Sequence, residues 1–224
     1  VGIHLENSAE YVVAILACLT VGAVFVPIPY SDPEERICRI AHDCGVTLTL
    51  APGGRAYSAE AERALRPISS AEAVTNTGLI REPPNGPDAL LYLVYTSGTT
   101  GDPKGVMIRR KSLRNFVRNT IDTFGLDTGT RALCVSPFHF DGAFGSLFSV
   151  LVAGGSLVVA DPGLLPGEFF QLLLAEEITH TSFSPSLLRL LTSSRDLPRL
   201  AGSRLRTIGL GGEDCAPDPI SALY

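Results

Sequence analysis

Short apolar runs bounded by Gly, Pro, Asn or Asp alternate along this chain with longer stretches whose apolar residues recur at helical spacing. Residues 1–5 form the first apolar run. Asn7-Ser8-Ala9-Glu10 then reads as a helix start, a capping side chain with a glutamate three residues on. The helix predicted over residues 11–21 is apolar almost all round and is therefore buried. Gly22 suits its C′ position. Residues 23–28 are a β-branched strand. Asp32-Pro33-Glu34-Glu35 opens a second helix, with Pro in the first turn and acids favoured by the dipole. That helix carries Ile37, Ile40 and Ala41 on one face and ends at Gly45. Residues 46–50 are the next strand.

This strand–helix–strand–helix–strand order implies a parallel sheet covered by helices. Residues 51–88 are less patterned, with a helix over 60–65 and a surface connection over 75–88. Residues 89–94 read as a buried strand and 106–108 as a short one. An amphipathic helix spans 111–124, with Ser112 as its cap. Strands at 131–135, 156–160, 179–183 and 205–210 then alternate with helices at 141–152, 167–176 and 185–192. The fold class expected is α/β: two layered subdomains with mostly parallel sheets sandwiched by helices. The turn cluster Gly125-Leu126-Asp127-Thr128-Gly129 sets the expected boundary, giving subdomains 1–127 and 128–224.

Composition narrows the class of protein. The chain has 224 residues, 45% hydrophobic and 18% charged, enough for a sizeable core and too apolar for disorder. A net charge of -5 without a long charged block argues against a dedicated nucleic-acid or membrane-surface binder. The five cysteines are odd in number and form no C-x-x-C pair. They read as small hydrophobes in a reducing, cytoplasmic setting, not as a disulfide or zinc framework. The longest apolar stretch, 11–29, is interrupted by Thr20 and Gly22 and reads as core helix plus strand, not a membrane span. The opening Val1-Gly2-Ile3 lacks the basic start of a signal peptide, and the missing initial Met suggests a piece of a longer protein.

The most distinctive stretch is Tyr95-Thr96-Ser97-Gly98-Thr99-Thr100-Gly101-Asp102-Pro103-Lys104-Gly105. Its glycines let backbone N–H groups turn toward an anion. The hydroxyls of Thr96, Ser97, Thr99 and Thr100 can each donate to a phosphate oxygen, and Lys104 adds a point charge. Composition alone equally allows a solvated surface turn. The string is neither G-x-x-x-x-G-K-[ST] nor G-x-G-x-x-G.

As a string, YTSGTTGDPKGV closely resembles the signature loop of the adenylate-forming enzymes: peptide-synthetase adenylation domains, acyl-CoA synthetases and luciferase. The segment LTVGAVFVPIP is similar to a second stretch of that family, with Val21 where alanine is usual. The resemblance implies that Thr96, Ser97, Gly98, Thr99, Thr100, Gly101 and Lys104 bind ATP, with Lys104 catalytic and Mg²⁺ bridging the phosphates. Arg109, Arg110, Lys111, Arg114 and Arg118 read as a solvated helix face, or as an attraction for ATP.

Pro137-Phe138-His139-Phe140-Asp141-Gly142 lies where a strand hands over to a helix. Asp141 is either a helix N-cap or a carboxylate held for a cationic group. FDGAFGSLFSVLVAGGSLVV resembles the segment of amino-acid-activating domains in which the aspartate binds the substrate ammonium; Ala143 stands where a serine is common. A buried Asp141 would be left unpaired by a plain acid, which the site would then reject. The same resemblance implies a side-chain pocket, within 137–145 and beyond, lined by Gly142, Gly145, Ser182, Gly209 and Gly211. All are small, which implies a bulky or unusual substrate side chain. Phe138-His139 also resembles the acyl-site segment of acyl-CoA synthetases. The strand end Gly209-Leu210-Gly211-Gly212-Glu213-Asp214 is a plain turn by composition. By resemblance it is the adenine side of the site, with Gly212, Glu213 and Asp214 as nucleotide contacts.

The function implied is activation of an amino acid to aminoacyl-AMP, for transfer to the phosphopantetheine thiol of an acyl or peptidyl carrier protein. No metal is expected on the protein's own ligands, and no nucleic-acid or membrane partner. The resemblance covers only part of the family's large domain, so the segment alone is expected to be inactive. The alternatives are an acid–CoA ligase, or a non-catalytic nucleotide-binding or interaction module.

Overall fold

The computed structural model describes residues 1–69, 86–97 and 103–215. Residues 98–102 of the hydroxyl-rich loop lie outside these, as does most of the connection expected over 75–88. The chain divides into two compact units, Val1–Arg114 and Asn115–Tyr224. The division falls inside helix α4 (Arg110–Phe124), ahead of the turn cluster at 125–129.

In the first unit, strands β1 (Gly2–Ile3), β2 (Val26–Pro27), β3 (Thr49–Ala51) and β4 (Pro67–Ser69) form one parallel sheet in the order β2-β1-β3-β4. They alternate with α1 (Ala9–Thr20), α2 (Glu34–Asp43) and α3 (Ala59–Leu65). The cap of α1 is Ser8, whose Oγ accepts from the Tyr11 N–H at 3.2 Å. Pro33 occupies the N-cap of α2 instead of its first turn. The strands are shorter than the apolar runs predicted, although single backbone bonds such as His4 N–H to Leu50 O at 2.9 Å and Ile28 N–H to Ile3 O at 2.9 Å extend the ladder past their ends. Ile37, Ile40 and Ala41 of α2 pack with Val26, Ile28, Ala61 and Leu65. β4 was not expected.

The remaining strands of this unit, β5 (Leu90–Ser97) and β6 (Pro103–Arg109), are antiparallel, a departure from the mostly parallel expectation. The reason is connection length: residues 98–102 suffice for a hairpin but not for a crossover. A parallel bridge between Phe25 and Tyr92, whose rings stack at 5.1 Å, ties the hairpin to the strand region of β2.

In the second unit, β7 (Arg131–Cys134), β8 (Ser156–Val159), β9 (His180–Phe183) and β10 (Thr207–Leu210) form a parallel sheet in the order β10-β9-β7-β8. The connections carry α5 (Asp141–Val152), α6 (Pro166–Ala175), α7 (Pro185–Thr192) and an unexpected 3₁₀ turn, Leu197–Gly202. Leu133, Phe169, Phe170, Leu173, Phe183 and Leu188 form the core on one side. Phe144, Leu147 and Phe148 of α5 are buried as well.

From β7 the chain steps outward to β8, and from β9 it steps the other way to β10. The β7–β9 boundary is thus a topological switch point, where a crevice opens beyond the C-terminal strand ends. Among the described residues no helix is long and apolar enough to cross a membrane.

Candidate active site

The hydroxyl-rich stretch straddles the β5–β6 hairpin of the first unit. Thr96 pairs with Lys104, and Tyr95 with Gly105. Both Thr96 and Lys104 are exposed. The Tyr95 hydroxyl donates to Asp43 Oδ2 at 2.5 Å, so the start of the loop is moored to the end of α2. Burial, followed by this bond, raises the Tyr95 pKa. A Cβ on Gly105 would lie 3.1 Å from Tyr95 Cζ, so glycine leaves room for the ring. Ser97 pairs with Pro103 as the last residue of β5. Gly98, Thr99, Thr100 and Gly101 lie outside the described residues.

The basic run is partly neutralised. Lys111 Nζ lies 2.5 Å and Arg109 Nη1 3.7 Å from Asp88 Oδ1. These partners, the Lys111 ammonium foremost, hold the Asp88 carboxyl below its usual range. Arg114 and Arg118 are exposed. Ser112 lies within the first turn of α4 and is not its cap.

The second unit holds a cavity of about 730 Å³ at the switch point, within the roughly 300–1,000 Å³ usual for small-molecule sites. Val135, Ser136 and Pro137 reach it beyond β7, Ser182 to Ser184 at the end of β9, and Gly209 to Glu213 at the end of β10. Asp141, Gly142, Gly145, Ser182, Gly209, Gly211, Gly212 and Glu213 all line it. Asp214 is exposed and is not among the lining residues.

Asp141 is not the cap. Phe140 holds the N-cap in an extended conformation without a side-chain cap bond, and Asp141 is the first residue of α5. Its carboxylate is exposed, not buried. The rejection of plain acids by a buried, unpaired Asp141 therefore does not hold for the open chain; it requires a ligand that covers the carboxylate. The helix dipole favours negative charge at this turn. Phe140 lines the cavity whereas His139, its ring 4.5 Å from that of Phe140, is not among the lining residues.

The small residues differ in what they leave open. Nothing lies within 4 Å of a Cβ built on Gly142, Gly211 or Gly212. At Gly145 that Cβ would lie 2.7 Å from Phe116 Cε1, and at Gly209 2.5 Å from Ser182 Oγ. The roominess inferred from five small residues is thus real at Gly142 and Gly211 but taken up by neighbours at Gly145 and Gly209.

Glu213 is engaged within the protein. Its carboxylate accepts from the Ser186 N–H at 3.1 Å and from the Ser186 hydroxyl, and Arg189 Nη2 lies 3.8 Å away. The Ser186 hydroxyl bond leads in holding this carboxyl below its usual range. Glu213 thereby fastens the Gly211–Gly212 turn to the first turn of α7.

Sequence reasoning placed Phe140 within the pocket segment 137–145 without naming it as a lining residue, and missed Phe116, Thr120, Phe124, Ser146 and Leu187; all six line the cavity. The signal was present for three of them. Phe116, Thr120 and Phe124 recur at i, i+4 and i+8 on the amphipathic α4, a stripe that reads equally well as ordinary core packing. Among the described residues no group of three His, Cys, Asp or Glu converges as a metal site, and none of the five cysteines is in a disulfide.

A parallel α/β sheet with a cavity at its switch point is the arrangement in which open α/β proteins place small-molecule sites. Residues 1–224 match the family described as AMP-binding enzyme, and the chain belongs to that family. It is 34% identical over 218 residues to gramicidin S synthase 2 of Brevibacillus brevis, covering 95% of this chain and 5% of that protein. It is 32% identical over 235 residues to surfactin synthase subunit 2 of Bacillus subtilis (strain 168), covering 99% of this chain and 6% of that one. The chain thus spans only a small part of the relatives it matches. Among solved structures, the peptide synthetase FmoA3 (S1046A) in its alpha-methyl-L-serine-AMP bound form superposes with a TM-score of 0.81 at 25% identity. That match covers all of this chain and 25% of the other. The N-terminal subdomain of Klebsiella oxytoca NpsA, in complex with 3-hydroxyanthranilyl-AMSN, shares the fold with a TM-score of 0.83 at 23% identity. It covers 99% of this chain and 55% of that chain.

Proposed function

We propose that the intact protein carrying this chain activates an amino acid with ATP, giving aminoacyl-AMP and pyrophosphate. The aminoacyl group is then handed to the phosphopantetheine thiol of a carrier protein in the cytoplasm. The observation that carries this reading is Asp141, an exposed carboxylate on the first turn of α5 at the wall of the switch-point cavity. Family membership and the peptide-synthetase relatives support it.

Asp141 is suited to hold the substrate ammonium, which orients the carboxylate for attack. A carboxylate oxygen bonds to the α-phosphorus of ATP, and the bond from that phosphorus to the bridging oxygen breaks as pyrophosphate leaves. In the second step the carrier thiol loses its proton, the thioester forms and AMP departs. Thr96 and Lys104 offer a hydroxyl and an ammonium at the base of the hairpin loop, a set that fits an anionic polyphosphate. Mg²⁺ carried in with the ATP phosphates would add charge neutralisation there. Gly211 and Gly212, with open space at their Cβ positions, fit the flat face of a nucleobase lying against the backbone. Catalysis of this kind rests on positioning and charge, not on a protein nucleophile.

ATP–pyrophosphate exchange by the intact protein, run over a panel of amino acids and plain carboxylic acids, tests the reading. Amino acids support exchange, and Asp141→Ala lowers it roughly 100-fold or more, the cost of leaving an enclosed ammonium unpaired. Exchange driven by plain acids alone, or an Asp141→Ala variant with unchanged amino-acid kinetics, overturns it.

A further inference from the structure

We propose that Phe116, on the helix ahead of the Asp141 segment, is a specificity-determining residue. It fills the space beside Gly145 and fits the cavity to an amino acid with a bulky, mainly apolar side chain. The proposal rests on the amino-acid-activating reading given above.

The geometry begins with α4. Phe116, Thr120 and Phe124 share one face of its second half and all line the cavity, while Val117 is buried on another face. Phe116 is 51% exposed and Phe140 57% exposed, both at the cavity wall. Two large rings left half open at one concave surface are apolar area that a ligand of matching character would cover.

The second element is Gly145, buried on α5. A Cβ there would lie 2.7 Å from Phe116 Cε1 and 2.9 Å from Cζ. No real side chain sits so close to a ring. The space can be filled from α5, by a side chain at 145, or from α4, by the ring at 116; with both present the half-exposed ring has to shift out of its place. Here the ring fills it. Glycine inside a helix costs roughly 1 kcal/mol relative to alanine, and the ring at this position accounts for its use.

The third element is what remains open. Gly142, next to Asp141 at the cavity wall, meets nothing within 4 Å, so space persists beside Asp141. The hydroxyl-bearing residues Thr120, Ser146 and Ser182 also line the cavity and suit a polar group on an otherwise apolar side chain. An aromatic side chain against Phe116 and Phe140, its ammonium at Asp141, uses all these features.

The test is ATP–pyrophosphate exchange by the intact protein across amino acids from alanine to tryptophan, with KM for ATP and a thermal melt as controls. Bulky apolar amino acids are the best substrates. Phe116→Ala raises KM for the best substrate about 10- to 200-fold, the range for lost apolar pocket contacts, and leaves KM for ATP unchanged. Larger side chains gain relative to smaller ones. Gly145→Ala weakens the best substrate, and Phe116→Leu combined with Gly145→Ala recovers activity because the shorter side chain yields to the added methyl. Phe116→Leu alone serves should Phe116→Ala not fold. An active wild-type protein whose ranking of amino acids is untouched by either Phe116 variant overturns the role of Phe116 and leaves the amino-acid reading standing. A wild-type preference for glycine or alanine overturns the bulky substrate class, and exchange with no amino acid at all overturns both readings.

Discussion

Gly209→Ala separates two views of the cavity wall. If Gly209 simply leaves space, an added methyl is nearly neutral and only narrows the cavity. The structure says otherwise. Gly209 pairs with Ser182 across the parallel β10–β9 ladder. A Cβ at 209 would lie 2.5 Å from Ser182 Oγ, 3.3 Å from Ser182 Cβ and 3.6 Å from Phe124 Cζ. The hydroxyl can rotate away, but Ser182 Cβ belongs to the neighbouring strand and yields only with the backbone. Overpacking of this kind costs about 1–3 kcal/mol. Reduced freedom of the unfolded chain returns about 0.4–1 kcal/mol, since Gly209 does not adopt a positive φ. The expected net loss is about 1.3 kcal/mol at the middle of these two ranges. Urea denaturation followed by circular dichroism measures it, with an unchanged m-value showing that the unfolded state is not the cause. Ser182→Gly removes both Oγ and Cβ, so the double variant should be little worse than Ser182→Gly alone, a coupling of about 0.5–3 kcal/mol. Gly211→Ala, with nothing within 4 Å of its Cβ, is the control and should stay within about 0.5 kcal/mol of wild type. A Gly209→Ala protein as stable as wild type would refute the packing argument.

Two further outcomes follow from the first unit. Tyr95→Phe removes the hydrogen bond to Asp43 and should cost about 1 kcal/mol, with faster amide exchange at the end of β5; protection equal to wild type would show that the mooring does not order the loop. His4 is buried, bonds through Nδ1 to the Tyr57 hydroxyl at 2.7 Å, and has its pKa lowered to about 4, first by burial and then by the Arg55 guanidinium. Because the unfolded chain binds this proton near pH 6.5 and the native chain does not, His4 contributes stability above pH 6.5 that is lost as pH falls toward 4, roughly 1–3 kcal/mol in all. Urea midpoints at pH 7.5 and pH 4.5 measure the drop, and an equally steep drop in His4→Gln would assign it to other groups.

Much of the fold is legible in the one-dimensional pattern because local signals and long-range burial agree. α5 and α7 fall where the sequence puts them, since Pro185 and the apolar periodicity mark the same boundaries that packing selects. β4 and the 3₁₀ turn escape, because three strand residues and six turn residues carry too little periodicity to stand out. The antiparallel hairpin escapes because an apolar run shows burial but not the direction of its neighbour.

The candidate site divides in the same way. Asp141 and the glycines at the strand ends were singled out because the strings that hold them resemble those of the adenylate-forming family; residue type alone left Asp141 open as a helix cap and the glycines as a plain turn. What those residues face was not visible. Asp141 looked buried among apolar neighbours, yet it is exposed, because the first turn of α5 opens onto the crevice between strand ends. Gly145 looked like empty space, yet it is filled by Phe116, 29 positions earlier in the chain. By itself the sequence determined most of the order of elements, the glycine- and hydroxyl-rich loop string and the inventory of groups able to do chemistry, since these depend on residue type and spacing along one chain. Only the tertiary structure decided the sheet order that creates the switch point, the walls of the cavity and which glycines are open. Those depend on which side chains from distant segments come to share one volume.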